Sequence, residues 1–89
     1  MPNNKKHLAS ITILVKDRQT HAKDIQQILT DSGHLIMARL GVNPQRSCVS
    51  NCTGLITVAV EGTAKEINGL TRKLNKLYGI VAKKNIMTE

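Results

Sequence analysis

The chain has no phenylalanine, no tryptophan and a single tyrosine, Tyr78, in 89 residues. A sheet that stacks bases on aromatic rings is therefore excluded, which counts against the familiar RNA-recognition module. Core filling falls to Ile, Leu, Val and Ala. Carboxylates are scarce too, six against thirteen Lys and Arg. No two of them form a convincing acid/base pair. No nucleotide-cradling glycine pattern and no Ser, Cys or His nucleophile motif occurs. An enzyme has no residues to stand on. No apolar run approaches the roughly 20 residues of a membrane helix. The polar start, residues 1–7, leads into an alternating segment with no small-residue cleavage site. The expectation is a cytoplasmic domain, where two cysteines are more often thiols or ligands than a disulfide.

The net charge of +7 bears on partners and solubility, not on fold. A chain of this length suits one domain with a thin core, and many such domains gain stability by associating.

The pattern predicts a polar tail over 1–7 and one folded unit over 8–87. Residues 8–16 read as a strand, with Ala9, Ile11, Ile13 and Val15 on one face. Ala22, Ile25, Ile28 and Leu29 recur at helical spacing, so a helix is expected over about 19–32, closed by Gly33. Residues 34–42 and 55–61 read as strands, joined by a long polar loop from Asn43 to Gly54. Thr63 caps a second helix with the stripe Ala64, Ile67, Leu70, Leu74 and Leu77. Gly79 ends it, and 80–87 form the last strand.

This order, βαββαβ, predicts an α+β fold of the ferredoxin-like kind. It is a two-layer sandwich: an antiparallel four-stranded sheet, two helices on one face, the first and third strands central. The uncovered face would carry Thr12, Leu14, Leu35, Met37, Arg39, Leu55, Thr57 and Ala59. That set is too apolar for a freely solvated surface and too polar for a closed core, and such patches mark interaction sites. A homodimer or higher homo-oligomer is expected. The bland alternative is a scatter of single exposed apolar residues.

Arg39 on that face, near Thr12 and Thr57, is a candidate anion or ligand residue, with Gly41 beside it. The alternative is an arginine snorkelling at the rim. Cys48 and Cys52 in the loop, with His34, offer donors to a soft metal. A four-ligand zinc site normally shows two such cysteine pairs, so a redox pair or two ordinary thiols compete with that reading. Lys65, Arg72 and Lys76, flanked by Lys73, make a basic stripe on the second helix. The stripe suits non-specific phosphate contact or is a solvated face.

Several short motifs, in order, carry a family resemblance. They are Asp17-Arg18, Arg39-Leu40-Gly41, Glu61-Gly62-Thr63, Leu70-Thr71-Arg72-Lys73-Leu74 and Gly79-Ile80-Val81. Together they resemble the regulators of the iron-only hydrogenase system, small ACT-like domains similar in fold to the C-terminal domain of nickel-responsive repressors. The resemblance implies a small-molecule or metal-responsive regulator that is dimeric or larger. It transfers no catalytic residues. Two other functions compete: a basic accessory module that binds nucleic acid, and an assembly partner of a metalloenzyme.

Overall fold

A computed structural model describes residues 5–16, 18–42 and 53–88, the side chains of 18–22 and 42 excepted. Strand β1 runs Lys6–Val15, helix α1 Arg18–Asp31 and β2 Ile36–Val42. Strand β3 runs Gly54–Thr63, helix α2 Ala64–Asn75 and β4 Ile80–Ile86. The sheet order is β2-β3-β1-β4, antiparallel at every pairing. This is the ferredoxin-like sandwich that the element order predicts. Lys6 and His7, read from the sequence as tail, extend β1 by pairing with Thr63 and Gly62.

Alternation builds the core. In β1, Ala9, Ile11, Ile13 and Val15 are buried. Their cross-strand neighbours Val58 and Val60, and Ile80 and Ala82, point the same way and are buried with them. Ile25 and Leu29 of α1, and Ile67, Leu70 and Leu74 of α2, close over this face. Burying side chains of this size contributes about 1.5–3 kcal/mol each. No helix among the described residues is long and apolar enough to cross a membrane.

Helix α2 begins without a linker because its first turn is capped from within. The Thr63 hydroxyl accepts from the Glu66 amide at 3.1 Å, and the Glu66 carboxylate accepts from the Thr63 amide at 2.9 Å. This capping box satisfies two otherwise orphaned donors. The hydrogen bond from the Thr63 amide first, then one from the Thr63 side chain, with smaller contributions from His34 and Lys6, hold the Glu66 carboxyl below its usual range against the opposing effect of desolvation. The corner is tight at Gly62, where an added Cβ would lie 2.9 Å from Leu35 Cδ2 and 3.1 Å from Glu66 Oε1. Gly62→Ala should therefore push on the core and on the cap together, costing about 1–3 kcal/mol. A denaturant melt checks this; a midpoint equal to the native one would mean that Leu35 yields freely.

The second strand departs from expectation. Gly33–Leu35 form a single 3-10 turn, so the strand starts at Ile36, and Leu35 is buried in the core. A register shift between Ile36 and Ala38 then moves the remainder of β2 by one position. Such a bulge exchanges the two faces of a strand, because side chains alternate with a period of two.

Candidate functional site

The uncovered face of the sheet is laid out by register. One row across all four strands is Leu40, Thr57, Thr12 and Lys83. The next row is Ala38, Ala59, Ser10 and Asn85. Leu55, Leu14 and Val81 make a third row, and Glu61 and Leu8 pair at the other end. Leu40 is 66% exposed and Leu8 43%, high for large apolar side chains. The patch is therefore the half-apolar surface anticipated, with a changed membership. Leu35 leaves it for the core, and Ala38 and Leu40 take the place of Arg39.

The four candidate ligand residues are split between the two faces. Thr12 and Thr57 are direct cross-strand partners on the uncovered face. Neighbours so placed have Cβ atoms about 4.5–5.5 Å apart, within reach of one small ligand. Arg39 instead pairs with the buried Val58, and Gly41 with Ile56, on the helix side. The expectation that Arg39 projects beside Thr12 and Thr57 is thus corrected, and the bulge is the reason. Arg39 remains exposed, and its Nη1 donates to Gln26 Oε1 of α1. It ties edge strand β2 to that helix. The cation in line with the two threonines is Lys83, whose Cα partner is Thr12. Its sequence neighbour Lys84 is a second cation. Their adjacency implies opposite faces, and Lys84 pairs with Ile11 on the helix side.

Cys48 and Cys52 lie outside the described residues. His34 stands exposed in the 3-10 turn, and its charge acts on Glu66 at the start of α2. Thr53, the chain neighbour of Cys52, adjoins Gly54 at the opposite end of β3. Ten strand residues separate these two ends, a span of about 30 Å. The structure does not bring His34 to the anchor of the cysteine loop, because β2 and β3 run the full length of the sheet between them. Among the described residues, no three of His, Cys, Asp and Glu gather closely enough to hold a metal ion.

Lys65, Arg72, Lys73 and Lys76 are exposed along α2 and its end. They sit on the helix layer, away from the Thr12–Thr57 row. Missed by the sequence reading is Asn75, at the last turn of α2. Its Nδ2 donates to the Ala82 carbonyl at 2.9 Å, and its Oδ1 accepts from the Ala82 amide at 2.7 Å. A terminal helical Asn followed by a short link to a strand was the available signal.

Comparison with known proteins gives the arrangement a context. The chain is similar over 94% of its length to the whole of an uncharacterized protein, TM1266, from Thermotoga maritima, at 24% identity and a TM-score of 0.82. It is also similar in fold to CPII of Thiomonas intermedia K12, a nitrogen regulatory PII-like protein. For the apo form the identity is 14% and the TM-score 0.58, covering 96% of this chain and 95% of that one. The form bound to ADP, AMP and bicarbonate aligns at 12% identity and a TM-score of 0.52, covering 93% and 98%. No curated protein matches the chain. Residues 7–84 match the model of the TM1266-like family, described as "Iron-only hydrogenase system regulator, putative". The chain belongs to that family.

Proposed function

We propose that this protein is a non-enzymatic regulatory domain that works as a homo-oligomer and responds to a small effector. The carrying observation is the uncovered sheet face, where Leu40 and Leu8 lie exposed around the paired threonines Thr12 and Thr57. Exposed apolar side chains gathered on one sheet face of so small a domain suit an association surface. A polar row running through it supplies hydroxyl and ammonium groups to a bound molecule. The family description, and the PII-like regulatory proteins that share the fold, support the regulatory class. CPII in complex with ADP, AMP and bicarbonate makes small anions a sensible first panel. A soft metal at Cys48 and Cys52 is the second effector class in this reading.

Two measurements test it. Sedimentation of the native chain should give a mass above the monomer. Thermal melts with ADP, bicarbonate or zinc should rise for at least one addition. Ligand at a hundredfold excess over its Kd stabilises by about 2.7 kcal/mol, which is roughly 10 °C or more for a domain of this size. A monomer at all concentrations, with no shift from any addition, would leave only the fold.

A further inference from the structure

We propose that the occupant of the uncovered face is a second copy of this chain, oriented by reciprocal ion pairs between Lys83 of each copy and Glu61 of the other. The inference rests on the homo-oligomeric reading above and deepens it. Among the strand residues of that face, Glu61, Lys83 and Lys6 are charged, and all three are exposed. Lys6 lies one row beyond Leu8, opposite Thr63, and its charge acts on Glu66.

Their positions are fixed by register. Glu61 on β3 is level with Leu8 of β1, and Lys83 on β4 is level with Thr12 of β1. Strand β1 lies between β3 and β4, so the midpoint between the two charges falls on β1 at Ser10. Two strand spacings and four residues separate them, roughly 17 Å. An isologous interface demands that each patch carry its own complement at exchangeable positions. A two-fold axis lying between the sheets and passing over Ser10 meets that demand, because it exchanges the two ends of this line. The small side chains Ser10 and Ala59 sit near that axis and let the sheets approach. The pairs lie toward the rim, where an ion pair by itself contributes little. Their effect is on orientation: apposed like charges repel strongly enough to exclude other dockings.

Charge reversal tests this by sedimentation of the full chain at moderate salt. Lys83→Glu and Glu61→Lys should each lower the association constant at least about tenfold. An equimolar mixture of the two variants should recover native association as a heterodimer, because each supplies what the other lacks. The double variant Lys83→Glu/Glu61→Lys should recover it alone. Lys84→Glu, on the helix side of the same strand, should associate like the native chain. Native association by both single variants, or a mixture no tighter than either variant alone, overturns the ion-pair docking. If the native chain is monomeric throughout, the homo-oligomeric reading fails and this inference with it. If the native chain associates and Leu40→Glu dissociates it while the charge variants do not, the ion-pair docking alone fails.

Discussion

Leu40→Glu is expected to leave the domain folded and to weaken its self-association by roughly 30-fold or more. The two halves of that statement come from different observations. Leu40 is 66% exposed and heads the polar row on an edge strand, so in a lone domain it packs against little. Exposed substitutions of this kind usually change stability by no more than about 0.5 kcal/mol. At an interface between copies, the same side chain becomes a buried apolar anchor. Replacing it by a carboxylate buries an unpaired charge, a loss of about 2 kcal/mol or more, which is about 30-fold. Both copies carry the change in a symmetric pair. The measurement is the sedimentation mass at low concentration, with a melt to confirm folding. A native mass together with a native melt would show that this face is not where the copies meet.

Leu40 also shows how far the sequence reaches. The alternation in β1 and β3 is unbroken, so their buried faces are legible from residue types alone. Central strands in a two-layer fold have one dry face, and Ile11, Ile13, Val58 and Val60 could not be placed otherwise. Strand β2 is an edge, and its faces were read wrongly. Counting alternation from His34 puts Leu40 with the core and Arg39 on the open sheet. The 3-10 turn, which opens on Gly33, and the bulge after Ile36 reverse this, and the bulge has no Gly or Pro to announce it. The run Leu35-Ile36-Met37-Ala38 is apolar on both parities, so no hydrophobic pattern pins its register.

The same limit divides the candidate site. Thr12 and Thr57 meet because they lie on the two strands whose register was readable. Lys83 was indistinguishable from Lys84 until the β1–β4 pairing set one on each face. The helix stripe of Lys65, Arg72 and Lys76 was legible, because helical spacing alone puts those residues together. It belongs to the layer opposite the threonine row, so the basic residues of this chain do not form one surface.

Asn75→Ala is expected to destabilise the domain by about 1–3 kcal/mol and to unseal one edge of its sheet. The Asn75 side chain stands where the next strand would be, giving Ala82 both a donor and an acceptor. Ala82 is 5% exposed, so its amide and carbonyl gain little from water once the bracket is lost. An unsatisfied buried group costs about 1–3 kcal/mol. Alanine's better helix propensity returns about 0.5 kcal/mol of that. The adjacent outward group is sealed as well, since the Ile80 amide donates to the Leu77 carbonyl at 3.3 Å. Farther along, Lys84 brings to the edge a charge of the kind that discourages strand addition. The native edge is thus closed by α2 and its turn at one end and guarded by charge at the other. That leaves the open face and the β2 edge as the surfaces for a second copy. Two readings check the prediction: a lower denaturant midpoint for Asn75→Ala, and new self-association that Leu40→Glu in the same chain does not suppress. A native midpoint would mean that water replaces the bracket at no cost. New association that Leu40→Glu abolishes would return the edge to a minor role and place all contact between copies on the open face.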